Sequence, residues 1–331
     1  MSEDNTRTLE RVDVLQLGPW LSELLAPALG PRLRLLPAWT SDRLASSLAA
    51  HATTVRAIVT HTNGMPADRA LMDSLPALQI VVNLGSGSET IDLAAAAERG
   101  VRVLNGAGTN APDVAELAML LMLAVGRTLI EGDRHVRAGR WPLARAPTTR
   151  RVSGKRLGLL GMGEIARAIA RRATGFDMEI SYFSRSIAEG VVYRHVADPV
   201  ALALQSDFLV VALPGGAATR HLVNVEVLRA LGPEGVLVNI GRGTVVDEAA
   251  LIRALREGWI AGAGLDVFEN EPHVPEALRA LDNVVLQAHR GGSTHEAFQA
   301  VVDRAAASLH SHFFRTSPTA DGPASAPSLF S

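Results

Sequence analysis

Residues 155–175 read KRLGLLGMGEIARAIARRATG. The short apolar run Leu157–Leu160 is typical of a buried parallel strand, and residues with helical periodicity follow the glycines. The turn between them, residues 161–166 (GMGEIA), fits the G-x-G-x-x-G/A pattern of a dinucleotide-binding turn, which needs a strand before it and a helix after it. A plain glycine turn is the alternative when the motif is taken alone. The strand and helix around it favour a dinucleotide site in the middle of the chain.

Each small residue of this turn has a physical role in that interpretation. Gly161 allows a sharp turn, Gly163 allows the backbone to approach a pyrophosphate, and Ala166 permits close packing of helix on strand. The amides at the start of the helix would face the phosphates, where the helix dipole favours negative charge. The residues predicted to contact a cofactor here are Gly161, Met162, Gly163, Glu164 and Ile165.

Composition limits the class of protein. With 331 residues the chain is long enough for about two domains. A net charge of −2 gives no general attraction to nucleic acid or to an anionic membrane, so neither partner is expected. The absence of cysteine excludes disulfides, thiol catalysis and cysteine-ligated zinc, and no metal is predicted. The polar start and the lack of a run of about 20 apolar residues lead us to expect a soluble cytoplasmic protein.

Short apolar strands alternate with helical segments along the chain, which predicts an α/β fold with parallel sheets. Strands are predicted at 12–17, 32–37, 55–60, 78–84 and 101–104, with helices at 20–28, 41–50, 66–74 and 90–99 between them. A long helix begins near Pro112 and ends in a polar stretch from Arg134 to Arg151. Further strands are predicted near 156–160, 178–183, 191–196, 207–212, 235–240, 261–265 and 283–287, and a last helix at about 294–314.

Three segments in the second half place chemically capable side chains at predicted strand ends. They read NIGRGTVVDE (239–248), GLDVFENEP (264–272) and VLQAHRGGST (285–294). Ligands of open α/β sheets bind at the carboxyl ends of the strands. Arg242, His289 and the carboxylates of 264–272, which include Asp266, Glu269 and Glu271, are therefore candidates for one site. Taken singly, each has an ordinary alternative, namely a surface ion pair, a solvated turn carboxylate and a structural histidine.

In this order, the motifs resemble those of the D-isomer-specific 2-hydroxyacid dehydrogenases, particularly the glyoxylate/hydroxypyruvate reductase branch. The resemblance covers roughly residues 55–315, with a weaker match before that. The segments GSGSETID (85–92) and DVAE (113–116) resemble the family's substrate loop and the start of its interdomain helix. The resemblance implies two Rossmann-like domains separated by a cleft. A flavodoxin-like substrate domain would comprise 1–105 plus 292–331, and the dinucleotide-binding domain 106–291, with a dimerisation arm near 112–150.

The resemblance also implies an Arg–Glu–His catalytic set. Arg242 would bind a 2-oxo acid by its carboxylate and keto oxygen through the guanidinium fork. His289 would give a proton to the keto oxygen as hydride arrives at carbon, and Glu271 would orient the imidazole and favour its protonated form. Asp266 would hold the nicotinamide carboxamide. The other residues implied are Ser86 and Gly87 for the substrate carboxylate, and Leu213, Pro214, Thr219, Ile240, Gly241 and Gly291 for the cofactor.

Several positions depart from the family's pattern. Ala288 stands where Pro is usual, Ser86 where Val is frequent, and Glu89 where Asp is usual. Arg290 follows His289 where a small or apolar residue is commoner. Two roles are open for the Arg290 side chain: its charge would lower the pKa of the His289 imidazole, or it would contact an anionic substrate. The alternative is that it points to solvent. These departures bear on the substrate more than on the reaction.

The choice of cofactor is read from the end of the second strand of the dinucleotide unit. A fold that prefers NAD has an acidic residue about 20 residues after the glycines, and none stands here. Ser184, Arg185 and Ser186 instead offer hydroxyls and a guanidinium, which suit a 2′-phosphate. Stacking of Arg185 on adenine is the alternative. We therefore predict NADP (NADPH) as the preferred cofactor, with NAD possible.

The resulting prediction is an NADPH-preferring reductase of small 2-oxo acids, glyoxylate and hydroxypyruvate, to D-2-hydroxy acids, with His289 as general acid. A dinucleotide-sensing corepressor is the alternative, because one branch of the family binds transcription factors. The neutral charge balance and the lack of an interaction extension argue against it. The formate dehydrogenase branch is disfavoured, because it has Gln where Glu271 stands. A homodimer is implied, in which Trp141 either reaches the neighbour's cleft or anchors a loop.

Overall fold

The structure is a computed structural model that describes residues 11–61, 64–85, 87–88, 90–141 and 148–314. Its contacts divide the chain into two units, a first unit of Met1–Thr109 with Phe298–Ser331 and a second unit of Asn110–Ala297. The boundaries inferred from the sequence, after residues 105 and 291, lie a few residues earlier. The assignment of a substrate or cofactor role to each unit stays a prediction.

The first unit contains a parallel sheet with helices on both faces. Its elements are β1 (Val12–Gln16), α1 (Ser22–Leu29), β2 (Leu33–Pro37), α2 (Ser41–His51), β3 (Val55–Thr60), α3 (Arg69–Asp73), β4 (Ile80–Asn83), α4 (Leu93–Glu98) and β5 (Arg102–Asn105). The strand order is β2-β1-β3-β4-β5, and every neighbouring pair is parallel. This is the flavodoxin-like order.

Successive side chains of β1 point to opposite faces of the sheet, and both sets are buried, so this sheet is covered on two faces. Val12 and Val14 are fully buried in one core cluster, together with Val302 and Leu309 of the last helix, α12 (His295–Phe314). Leu15, on the opposite face of the same strand, is buried in a separate cluster. Strands that bury both faces are typical of parallel sheets.

The second unit contains a larger parallel sheet. Its elements are α5 (Ala111–Gly126), α6 (Leu129–Arg137), β6 (Arg156–Leu160), α7 (Glu164–Thr174), β7 (Glu179–Phe183), β8 (Arg194–His195), α8 (Pro199–Leu204), β9 (Phe208–Val211), α9 (Val225–Leu231), β10 (Val236–Asn239), α10 (Glu248–Arg256), β11 (Gly262–Leu265), α11 (Glu276–Arg279) and β12 (Val284–Leu286). The strand order is β12-β11-β10-β9-β6-β7-β8. Counted from β6, this is the Rossmann order with one strand added at an edge. The predicted fold class, α/β with two parallel Rossmann-like sheets, is confirmed.

The strand order determines where a ligand can bind in the second unit. The connection from β6 leads to β7 on one side, whereas β9 pairs with β6 on the other. The order of the strands therefore reverses between β6 and β9, and a crevice opens at the carboxyl ends of such a pair. The glycine turn at residues 161–163 directly follows β6.

The single long helix predicted from Pro112 is wrong, because the structure divides it into α5 and α6. Thr128 has a φ of 45°, in the left-handed region, which a continuous right-handed helix cannot contain. Gly126, the last residue of α5, packs so closely that a Cβ would lie 3.1 Å from Val152 Cγ2. Nothing in the apolar pattern of the sequence marks this break. The predicted dimerisation arm continues beyond α6 into residues 142–147, which lie outside the described part of the chain.

Candidate active site

The glycine turn has the backbone geometry that a dinucleotide site requires. Gly161 has a φ of +104°, and a Cβ there would lie 2.8 Å from the Ala212 carbonyl oxygen, so a side chain is excluded on both grounds. A Cβ on Gly163 would instead meet no described atom within 4 Å apart from its chain neighbours. Gly163 directly precedes α7, and no described side chain caps the first amides of that helix. Open space in front of helix amides fits an approaching pyrophosphate.

The loops after β9 and β10 meet beside this turn. A Cβ on Gly241 would lie 2.6 Å from the Leu213 carbonyl oxygen, so the two backbones are in direct contact. Thr219 Oγ1 donates to the Pro214 carbonyl oxygen at 2.8 Å, which shapes the loop after β9. Ile240 is buried. The structure thus brings the predicted cofactor residues of three strand ends to one edge of the sheet.

The turn after β7, at residues 184–186, is held by hydrogen bonds to the side chains of Tyr182 and His195. Tyr182 Oη accepts from the Ala188 amide at 3.0 Å, and His195 Nε2 lies 3.0 Å from the Ser184 carbonyl oxygen. Ser184 Oγ donates to the Ser186 carbonyl oxygen at 2.5 Å, so its proton is used within the turn. Arg185 and Ser186 are exposed. Their side chains are therefore the groups of this turn that can reach a phosphate.

His195 was missed by the sequence interpretation. It lies on β8, a strand of two residues that pairs with β7 at the edge of the sheet. A strand of two residues is too short to show the alternation of apolar and polar side chains by which a strand is recognised in a sequence. Its closeness to the Ser184 turn depends on the pairing of Tyr182 with His195 across the sheet.

Arg242 is fixed by a polar side chain at the end of β10. Asn239, which is 1% exposed, accepts from the Gly241 amide at 3.1 Å and donates through Nδ2 to the Arg242 carbonyl oxygen at 3.2 Å. The Arg242 guanidinium donates through Nη1 to the Gly241 carbonyl oxygen at 2.9 Å. The Asn239 amide therefore sets the backbone that presents this guanidinium.

The turn after Arg242 rests directly on the segment that carries Glu271. A Cβ on Gly243 would overlap the carbonyl carbon and oxygen of Phe268, so this position has no room for any side chain. Glu271 Oε1 accepts from the Phe268 amide at 3.0 Å. The loops after β10 and β11 are thus packed backbone to backbone, and this contact brings Arg242 and Glu271 into one site.

His289 and Glu271 form a hydrogen-bonded pair. His289 Nδ1 lies 2.7 Å from Glu271 Oε2, and the two side chains are 49% and 34% exposed. The His289 amide donates to the Asp266 carbonyl oxygen at 2.8 Å, and His289 has a φ of 52°. This left-handed conformation is uncommon outside glycine and is seen at functional sites. With Nδ1 engaged, Nε2 is the ring nitrogen that can serve a substrate.

The electrostatics of the pair favour a protonated imidazole beside an ionised carboxylate. The hydrogen bond to Glu271 raises the pKa of His289 above its ordinary 6.5, against the effect of burial. The charge of Asp266 raises it further, whereas Arg242 opposes. Burial disfavours ionisation of Glu271, yet hydrogen bonds from His289 and the Phe268 amide hold its pKa below the usual value. The imidazole can therefore keep its proton to a higher pH than an unperturbed histidine, which suits delivery of that proton to a substrate.

Asp266 has a contact that the sequence did not reveal. It is 2% exposed, and its two oxygens accept from the amides of Arg290 at 2.7 Å and Gly291 at 2.8 Å. A Cβ on Gly291 would lie 3.0 Å from the same carboxylate. Asp266 therefore shapes the loop that follows His289. Its predicted contact with a nicotinamide carboxamide stays a prediction.

The predicted substrate loop is described only in part. Ser86 and Glu89 lie outside the described residues. The Asn83 side-chain amide donates to the Gly87 carbonyl oxygen, which ties the loop to the end of β4. Gly87 belongs to the first unit, whereas the Arg–Glu–His set belongs to the second.

Comparison with known proteins identifies the family. Residues 119–291 match the family described as D-isomer specific 2-hydroxyacid dehydrogenase, NAD binding domain. The chain is 45% identical over 305 residues to hydroxyphenylpyruvate reductase of Plectranthus scutellarioides and, again at 45% over 305 residues, to glyoxylate/hydroxypyruvate reductase A HPR2 of Arabidopsis thaliana. Each alignment covers 92% of this chain and 97% of the relative. The chain belongs to the D-isomer specific 2-hydroxyacid dehydrogenase family.

A solved structure agrees with this membership. NADPH-dependent glyoxylate/hydroxypyruvate reductase from Sinorhizobium meliloti, in complex with NADP and malonate, has a TM-score of 0.80 and 37% identity to this chain. The match covers 92% of this chain and 94% of that one. The resemblance predicted from the motifs is confirmed. Among the described residues, no helix combines the length and hydrophobicity needed to cross a membrane.

Proposed function

We propose that this protein is an NADPH-preferring reductase that converts small 2-oxo acids, with glyoxylate and hydroxypyruvate as the leading substrates, to D-2-hydroxy acids. The observation that carries the proposal is the 2.7 Å pair of His289 and Glu271, beside Arg242, at the sheet edge that holds the glycine turn. Relatives named as glyoxylate/hydroxypyruvate reductases, one of them NADPH-dependent, support the substrate class and the cofactor.

The side chains divide the chemistry between them. Arg242 holds the substrate carboxylate and keto oxygen through its planar fork. Protonated His289 gives the proton on Nε2 to the keto oxygen as negative charge develops there. Glu271 stays ionised, fixes the imidazole through Nδ1 and stabilises its positive charge. When bound, the dihydronicotinamide supplies the hydride that reduces the keto carbon.

The residues of the second unit fit the cofactor. The open space at Gly163 and the first amides of α7 suit the pyrophosphate. Arg185 and Ser186 present a guanidinium and a hydroxyl at the end of β7, where a 2′-phosphate would lie. No carboxylate stands at residues 184–188 to accept from a ribose hydroxyl.

The activity is tested by NADPH oxidation with a panel of 2-oxo acids that includes glyoxylate, hydroxypyruvate and hydroxyphenylpyruvate. We expect turnover with the first two at a higher kcat/KM than with the aromatic acid. Chiral analysis of the hydroxypyruvate product should give the D-isomer, whereas glycolate, the product from glyoxylate, is achiral. An enzyme that oxidises NADPH with none of these acids would contradict the proposal.

Cofactor choice should reverse when the Ser184–Ser186 turn is changed. In the double variant Ser184→Asp, Arg185→Gln, the new carboxylate accepts from a ribose hydroxyl and repels a 2′-phosphate, whose counter-charge is lost. Each charge-assisted contact is worth about 1.5–3 kcal/mol, or roughly 10- to 150-fold in discrimination. The measurement is kcat/KM for NADPH and for NADH at saturating 2-oxo acid. Arg256→Gln, an exposed change on α10, is the control. A wild-type preference for NADH would refute the assignment.

The pH dependence of reduction should follow the His289–Glu271 pair. Because Glu271 raises the pKa of His289 above 6.5, the rate should be constant at low pH and fall as pH rises through that raised value. Glu271→Gln keeps the size and an acceptor oxygen but removes the charge, so the midpoint should move to lower pH. The profile of kcat at saturating NADPH measures the shift. Glu234→Gln, at an exposed carboxylate paired with Arg150, should leave the midpoint unchanged, and an unchanged midpoint in Glu271→Gln would contradict the role of the charge.

We further propose that the protein is a homodimer formed through α5, α6 and Trp141. Large apolar side chains are exposed there, at 50% for Leu120, 57% for Val136 and 71% for Trp141. An apolar surface of this kind is typical of an interface. Light scattering at micromolar concentration should give the mass of two chains, and Val136→Asp should give that of one. Leu204→Asp, on an equally apolar exposed position of α8, should leave the dimer intact. A wild-type monomer would refute the assembly.

A further inference from the structure

A second carboxylate–imidazole pair lies two residues before Glu271. Glu269 Oε1 accepts from His221 Nε2 at 2.8 Å and from Arg220 Nη2 at 2.9 Å. The Glu269 side chain is 17% exposed and that of His221 is 35% exposed. Exposed ion pairs contribute little, whereas a sheltered carboxylate with two cationic or imidazole donors is firmly held. The Glu269–His221 contact is therefore a well-ordered, partly buried interaction rather than an exposed surface ion pair.

The backbone of Glu269 is held as well as its side chain. Its amide donates to Glu248 Oε2 at 3.3 Å. Glu248 is 9% exposed at the start of α10, and burial raises the pKa of this carboxyl, as does the negative charge of Glu269. Glu269 is thus fixed from two directions, by α10 and by the loop that carries His221.

The same loop also contacts the turn that follows Arg242. The His221 amide donates to the Thr244 carbonyl oxygen at 2.9 Å. That turn contains Gly243, where a side chain would overlap the Phe268 carbonyl. His221 itself has a φ of 50°, a left-handed conformation that is sparsely populated outside glycine. His221 therefore links the segment that carries Arg242 to the segment that carries Glu271.

The position of the Glu271 carboxylate depends on this segment. Its Oε1 accepts from the Phe268 amide at 3.0 Å, and Phe268 directly precedes Glu269. Movement of Glu269 would displace that amide, and with it the oxygen that bonds His289 Nδ1. A displacement of about 1 Å in a catalytic geometry can cost about 10²-fold in rate.

We propose that Glu269 and His221 are positioning residues for the catalytic pair: their contact holds residues 268–271 against the Arg242 turn and so keeps Glu271 on His289. Neither touches the substrate in this scheme. The kinetic consequence rests on the function proposed above. The consequence for the protonation of His289 does not, because it follows from the Glu271–His289 bond alone.

Two variants test the proposal. Glu269→Gln keeps the shape and removes the charge, and His221→Asn removes the ring while Asn tolerates the left-handed backbone. In both, we expect kcat for 2-oxo acid reduction to fall by about tenfold to 10²-fold, with the Kd for NADPH unchanged. The NMR titration midpoint of the His289 imidazole should move down, towards that of Glu271→Gln. The other charges around that ring, Asp266 and Arg242, are the same in every variant.

The control is Glu234→Gln, at a carboxylate that is 84% exposed and paired with Arg150, and it should change neither quantity. A His289 midpoint that stays at the wild-type value in both folded variants would overturn the proposal, whatever happens to the rate. If one variant does not fold by circular dichroism, the other decides. If the wild-type protein reduces no 2-oxo acid, the proposed function fails, yet the NMR midpoints still decide whether Glu269 and His221 position Glu271.

Discussion

Replacing His289 with alanine should lower 2-oxo acid turnover by about 10²–10⁴-fold while NADPH still binds. The imidazole is the proton donor in the proposed mechanism, and its hydrogen bond to Glu271 raises its pKa and so favours the charged form. Its loss removes transition-state stabilisation without removing a contact to the cofactor phosphates. Steady-state kcat and a separate NADPH binding titration by fluorescence measure the two quantities.

The control for this variant is His312→Ala, since His312 lies in the last turn of α12 and bonds Gln79 Oε1 at 3.2 Å. It should keep wild-type turnover. Because His289 has a φ of 52°, His289→Asn should accompany the alanine variant, as Asn adopts this conformation more readily than Ala. Near-wild-type kcat in a folded His289→Asn protein would remove His289 from the mechanism.

Replacing Arg242 with lysine should lower the rate of 2-oxo acid reduction although the positive charge is kept. The Arg242 guanidinium is already oriented by its bond to the Gly241 carbonyl oxygen, and its fork can hold a carboxylate and a keto oxygen together. Lysine offers one point charge without that geometry. Loss of one charge-assisted bond costs about 1.5–3 kcal/mol, so kcat/KM should fall roughly 10- to 150-fold, with KM for the 2-oxo acid raised and kcat lowered.

Saturation kinetics with glyoxylate and hydroxypyruvate separate these two effects, and Arg256→Lys on α10 is the matched exchange at an exposed position. If Arg242→Lys kept both KM and kcat, Arg242 would be a structural residue. The loop after β10 would then need another group to bind the substrate carboxylate.

The fold could be predicted from the sequence because its strands are buried apolar runs separated by turn residues. The strand at 55–60 was predicted with the bounds that the structure gives, Val55–Thr60. The strand predicted at 191–196 is only Arg194–His195, since its pairing with β7 involves just two residues at the sheet edge. The break before α6 depends on one backbone angle at Thr128, and apolar periodicity carries no information about it.

The strand ends that carry the candidate site could be predicted from the sequence, whereas the catalytic roles of the three residues came from the family resemblance and stay predictions. Arg242, Glu271 and His289 each follow a strand, and the structure packs these strand ends together. The contacts between loops were not predictable. The pairing of Glu269 with His221 joins residues 48 positions apart, and it depends on which loops the strand order brings together.

The division of the chain has a consequence for the order in which the protein can assemble on the ribosome. The second unit, Asn110–Ala297, is one uninterrupted stretch, whereas the core of the first unit includes Val302 and Leu309. Domains fold as units while the chain emerges, but the sheet of the first unit has no cover from α12 until residues 295–314 have been made. The first unit therefore completes its core only after residues 110–297 have been synthesised, and until then Val12 and Val14 lack the contacts that Val302 and Leu309 provide.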